Sequence, residues 1–140
     1  MPEVWKRSDC PISFSLDIFG DKWSLLIIRD IMFKDKRNYG EFAGSDEKIA
    51  TNILADRLTL LDKAGIIKKE KDPDHKSKFI YSLTKKGIDL LPVLIEIIKW
   101  GAMYDKDSAT PPEFIKRVKN DKENMVKEFM DQLRKGHLKK

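Results

Sequence analysis

Apolar residues recur along the chain at helical spacing, with one stretch where they alternate instead. Ile12, Leu16 and Phe19 predict a short helix that Pro11 opens and Gly20 closes. Asp21 is then placed to cap a second helix, Lys22 to Phe33. Trp23, Leu25, Leu26, Ile27, Ile28, Ile31, Met32 and Phe33 make that helix apolar almost all round, as in the buried centre of a small domain. After the polar loop Lys34 to Arg37, Tyr39 and Phe42 lie between Asn38 and Gly44 and predict a very short third helix. From Thr51 to Ala64, a turn of about 100° per residue gathers Ile53, Leu54, Leu58, Leu61 and Ala64 on one face. Asn52, Ala55, Asp56, Thr59 and Lys63 fall on the other face. Thr51 reads as the N-cap and Gly65 as the stop. A short helix, a polar turn (Gly44 to Lys48) and an amphipathic helix are the grammar of a helix-turn-helix.

The alternating stretch follows. Ile66 to Lys71 and Lys78 to Leu83 predict two strands, and Asp72-Pro-Asp-His-Lys-Ser77 between them is turn chemistry throughout. Helix, hairpin, helix describes a winged helix with the hairpin as wing. Thr84 then caps a long helix, Lys85 to Tyr104. Its apolar residues (Ile88, Leu90, Leu91, Val93, Leu94, Ile95, Ile97, Ile98, Trp100) exceed what a small monomer covers, which predicts a homodimer. Pro111-Pro112 breaks the chain, and one last amphipathic helix runs to Gly136. The expected fold is mainly α with a small β wing, dimerising through its terminal helices. Residues 1–110 form the winged helix-turn-helix domain with its dimerisation helix, and 111–140 a C-terminal amphipathic extension.

Composition narrows the classes. The 140 residues hold 28 Lys and Arg against 23 Asp and Glu, for a net charge of +5. That surplus is local: Lys63 to Lys86 carries eight lysines against Glu70, Asp72 and Asp74. The wing therefore reads either as a footprint for an anionic partner or as a solvated hairpin. A single cysteine, Cys10, leaves no disulfide framework or cysteine-based zinc site and fits a reducing cytoplasm. The first residues carry no run of signal-peptide type. Leu90 to Ile98 is too short to span a bilayer, so no membrane association is expected. Gly-rich phosphate loops and metal-ligand spacings are absent from the sequence, and no cofactor is expected. Catalysis has little support: His75 falls in the wing turn and His137 near the end, where solvent is expected, and nothing pairs Cys10 with His75.

Several motifs together carry a family resemblance. Cys10-Pro-Ile, Asp17-Ile-Phe-Gly-Asp-Lys-Trp23, Leu26-Ile-Ile-Arg-Asp30, Ile49-Ala-Thr-Asn-Ile-Leu-Ala-Asp-Arg-Leu58, Ala64-Gly-Ile-Ile67 and Tyr81-Ser-Leu-Thr-Lys-Lys-Gly87 resemble the HxlR-type bacterial transcriptional regulators. These are winged helix-turn-helix proteins related in fold to the MarR group. The resemblance covers roughly Asp9 to Tyr104 and implies a homodimer on operator DNA. The family often opens its recognition helix with Ser-Pro where this chain has Ala50-Thr51, and the segment after Pro111-Pro112 extends past the usual core.

On that reading the outer face of the Thr51 helix enters the major groove of double-stranded DNA. Asn52 can bond adenine, Thr51 a base or phosphate, Ala55 can meet a thymine methyl, and Asp56 can accept from cytosine. Arg37 and Lys48 are candidates for phosphate contact, and Lys76, Ser77 and Lys78 at the wing tip for flanking DNA. Two copies about one duplex turn apart read an inverted repeat. Arg57 falls on the apolar face and is expected to pair with a carboxylate such as Asp30 or Glu41. Some regulators of this type sense oxidants or electrophiles through the cysteine at the place of Cys10. With no second cysteine, oxidation here links two copies or attaches a small thiol. The competing reading of Cys10 is a small residue near the dimer interface. A small-molecule effector of unknown identity fits the same scaffold, and so does a protein-interaction module without DNA binding.

Overall fold

The chain, described over residues 6–138 in a computed structural model, starts with α1 (Pro11–Phe19), which Pro11 opens as expected. Its buried residue is Ile18, whereas Ile12 and Leu16 are exposed. Asp21 does cap the next helix, but from two residues further back. Its Oδ2 accepts from the backbone N–H groups of Trp23 (2.9 Å) and Ser24 (3.0 Å), so α2 runs Ser24–Lys34. Ile27, Ile28, Ile31 and Met32 of α2 are buried, which makes it the expected central helix.

Helix α3 (Tyr39–Ala43) is opened by a capping box between Asn38 and Glu41. Helix α4 (Thr51–Lys63) turns Leu54, Leu58 and Leu61 inward. Its N-cap is Ala50, with no side-chain bond, and Thr51 is the first helical residue rather than the cap. The other end follows the sequence closely. Gly65 takes φ +76°, its N–H bonds to the Asp62 carbonyl and that of Ile66 to the Leu61 carbonyl. This is a Schellman closure, which glycine adopts without strain.

Strands β1 (Ile67–Lys71) and β2 (Phe79–Leu83) pair antiparallel, from Ile67 opposite Leu83 to Lys71 opposite Phe79. Each is one residue shorter than predicted. The inner end is buried through Ile67, Tyr81, Ser82 and Leu83, and Tyr81 meets Phe42 edge-on at 5.9 Å between ring centroids. The outer end projects into solvent. The fold is therefore mostly helical with a two-stranded wing.

The predicted long helix after Thr84 is two. Thr84 Oγ1 accepts from the Gly87 N–H (3.1 Å) and caps α5 (Lys85–Ile88), as expected. A new helix, α6 (Leu91–Tyr104), then starts with Pro92 in its first turn, because proline cannot continue a helix but suits its beginning. The last predicted helix also divides, at Asp121 (φ −147°), into α7 (Pro112–Asn120) and α8 (Lys122–His137). Gly136 lies inside α8, and His137 is buried rather than in solvent.

Packing separates two compact units, one ending at Gly87 and the other starting at Ile88. The sequence placed this division after residue 110. It falls earlier because α6 packs with α7 and α8, where Leu94, Ile95, Val118, Met125 and Leu133 are buried. Among the described residues, no helix is long and apolar enough to cross a membrane.

Candidate nucleic-acid interface

Burial of Leu54, Leu58 and Leu61 turns the opposite face of α4 outward. Thr51, Asn52, Ala55, Asp56, Thr59 and Lys63 are all exposed, the face that the helical wheel separates. Beside it, the wing tip exposes Lys76, Ser77 and Lys78. The tip is shaped by backbone bonds from Asp72 N–H to the Lys78 carbonyl (2.9 Å) and from Lys78 N–H to the His75 carbonyl (2.8 Å). A cleft of about 450 Å³ joins the two surfaces, with Ala55 and Thr59 on one side and Ser77, Lys78 and Phe79 on the other. Lys69 lies 4.1 Å from the Phe79 ring centroid and holds a second cation on that wall.

Three interactions fix α4 against this surface, and sequence reasoning anticipated only that Arg57 would be paired, not the partners. Tyr39 donates its hydroxyl hydrogen to the Thr51 carbonyl at 2.8 Å, so α3 holds the first turn of α4. Asp21 accepts from the Ser24 hydroxyl and lies 3.4 Å from the Arg57 guanidinium, which couples the start of α2 to α4. Burial works against the Asp21 charge, but hydrogen bonds from Ser24 and Trp23 and the Arg57 charge prevail and hold its carboxyl below its ordinary range. Arg57 is thus a paired structural charge as expected, but its partners are Asp21 and Asp56 rather than Asp30 or Glu41. Asp21 is nearer because Arg57 lies at the edge of the buried face, half-buried rather than in its middle.

The third is a network under the turn between α3 and α4. Arg29 makes two bonds to Glu47, at 2.6 and 2.9 Å, and two to the buried Asp30, at 2.9 and 2.7 Å. The Ser45 hydroxyl also donates to Asp30, and Lys36 lies 3.6 Å away. The Arg29 bonds pull the Glu47 carboxyl down to about 2. A signal for this network was present: Asp30 falls among the apolar residues of the central helix, and a buried charge requires partners. The rest of the network was not legible, because Ser45 and Glu47 are distant from Arg29 and Asp30 in sequence.

Of the proposed contact residues, Ala55, Ser77 and Lys78 line one cleft, while Thr51, Asn52 and Asp56 share its helix. Lys48 is exposed in the turn before α4, in left-handed backbone (φ +55°). Arg37 is engaged elsewhere: its guanidinium donates to the Tyr81 carbonyl (2.9 Å) and the Ser82 hydroxyl (2.6 Å) and so latches the loop onto β2. Cys10 lines none of this surface. It is an exposed free thiol at the N-cap of α1. Lys6 and Arg7 nearby are drawn to Asp9 and Asp17.

Residues 18–109 match the model of the HxlR-like helix-turn-helix family. The chain belongs to this family. It is 36% identical over 93 residues to sll1512, an uncharacterised HTH-type transcriptional regulator of Synechocystis, spanning 66% of this chain and 68% of that protein. Among solved structures, PA1607 is 37% identical with a TM-score of 0.68, covering 77% of this chain and 75% of the other. The redox regulator HypR in its oxidised form is 31% identical with a TM-score of 0.61, covering 71% of this chain and all of HypR. This HxlR-like protein is thus similar in sequence to a transcriptional regulator and in fold to a redox regulator.

Proposed function

We propose that the protein is a homodimeric, sequence-specific regulator that binds double-stranded DNA. The observation that carries this reading is the outer face of α4, polar and exposed along its length, with the lysine-bearing wing beside it across one cleft. In this reading α4 lies in the major groove. Asn52 bonds an adenine edge, Thr51 a base or phosphate, Ala55 meets a thymine methyl and Asp56 discriminates for cytosine. Lys48, Lys76, Ser77 and Lys78 bind backbone or flanking DNA, and Arg37 contributes by holding the wing at its angle.

Dimerisation accounts for apolar surface that water otherwise wets. In the second unit Val93, Ile97, Trp100, Met103 and Tyr104 of α6 are exposed, and in the first unit Ile12 and Leu16 of α1. The test is selection from a randomised duplex library. This reading expects an inverted repeat with half-sites about one helical turn apart. Enrichment of a single half-site contradicts the dimer, and no enrichment contradicts sequence-specific binding.

A second reading concerns Cys10. Its exposure at a helix N-cap, together with the likeness to a redox regulator, supports a thiol that alters DNA affinity on oxidation. With one cysteine per chain, diamide treatment is expected to give a dimer linked through Cys10 or a mixed disulfide with an added thiol. It should also shift DNA affinity, and both effects should vanish in Cys10→Ser. An unchanged affinity after full oxidation contradicts this reading.

A further inference from the structure

A cleft of about 320 Å³ lies within the second unit, between the end of α6 and α7. Ala102, Met103 and Ile115 give it an apolar floor. Lys99 from α6, Lys106 from the connecting loop and Lys119 from α7 also line it and place three positive side chains around it. Ser108 and Thr110 add two hydroxyls, 2.8 Å apart and hydrogen-bonded to each other. Asp105 is the one carboxylate on the lining, and its Oδ1 accepts from the Asp107 N–H at 3.0 Å. Among the described residues, none of the three lysines closes an ion pair. Glu96, one turn before Lys99, is bonded instead by Lys122 at 2.6 Å.

Lysines near a helix C-terminus ordinarily offset its dipole. That role needs no concavity, no apolar floor and no pair of hydroxyls between the charges. An oxyanion on a short carbon body needs all three: charge-assisted donors for the head, hydroxyls to orient it and apolar surface for the rest. The volume is at the small end for ligand sites and excludes a large cofactor. Thr110, Ile115 and Lys119 lie beyond residue 109, where the family match ends, whereas Lys99 and Lys106 lie within it, so the cleft is completed by this chain's extension.

We infer that this cleft binds a small organic oxyanion, a phosphorylated or dicarboxylic metabolite, between Lys99, Lys106 and Lys119. Titration calorimetry of the full chain at constant ionic strength tests it, with inorganic phosphate, glycerol 3-phosphate and succinate as probes and glycerol as the neutral control. Saturable binding of at least one anion is expected, at one site per chain, with no heat from glycerol. Lys99→Gln/Lys106→Gln/Lys119→Gln should weaken it at least about tenfold. Thr110→Val, which leaves the charge alone, should weaken it by a smaller factor. Lys127→Gln/Arg134→Gln/Lys135→Gln removes the same charge from residues of α8 that do not line the cleft and should leave affinity within about twofold. Equal loss in the two triple variants overturns the proposal, since net charge alone then explains binding. Absence of saturable binding by any anion up to about 10 mM also overturns it. The readout is binding to the free protein, so the outcome is independent of whether α4 binds DNA.

Discussion

Asn52 is exposed near the start of α4, away from the buried leucines, so its replacement costs the fold little. Asn52→Ala should therefore leave the thermal midpoint nearly unchanged. It should lower affinity for the preferred duplex by about 5- to 150-fold, the worth of one bidentate base contact, and relax selection at one position of each half-site. Glu47 is the opposite kind of residue, important to the scaffold rather than to a contact. Its carboxyl is held at about 2 against an ordinary 4.5 by Arg29. A carboxyl depressed by folding stabilises fully above its unfolded value and loses that contribution as the pH falls toward the folded one. Stability should thus decline between about pH 4.5 and 2, and Glu47→Gln should remove part of that decline. Urea melts of both proteins across this range check it; identical pH profiles would contradict the role given to the Arg29 pair.

At the scale of elements, the wing separates anchoring from contact. Arg37→Ala leaves the buried Ser82 hydroxyl without its guanidinium partner, and stability should fall by about 1–3 kcal/mol along with DNA affinity. Lys76→Ala with Lys78→Ala removes only exposed charge. It should leave stability unchanged and reduce the salt slope of DNA binding by about 2, the release of two phosphate counterions. The two faces of α4 and the two strands were legible in the sequence, because burial on one side writes a period directly into the residues. The breaks at Leu90 and Asp121 were less so. Pro92 reads as an interruption and as a helix start equally well, and Asp121 within a run of polar residues signals no break. The latch of Arg37 was not legible, and of the Arg29 network only the need of Asp30 for partners was, since both join residues distant in sequence through space that only the folded chain defines.

Across the whole molecule, the proposed function gives the exposed apolar residues of α6 and the lysines of the wing their partners, a second copy and an anionic duplex. Trp100 is 68% exposed, so Trp100→Glu should cost the fold little yet shift the protein from dimer to monomer in light scattering, with loss of specific DNA affinity. An unchanged dimer would place the pairing surface elsewhere. The central claim is that the face of α4 and the wing read DNA sequence. It is tested most directly by fluorescence anisotropy against the upstream intergenic DNA and a shuffled copy of the same composition, across a salt series. The account predicts tighter binding to the native sequence, with an affinity that falls steeply as salt rises. Absence of binding to either duplex even at low salt would contradict it and leave a winged helix whose partner is another protein.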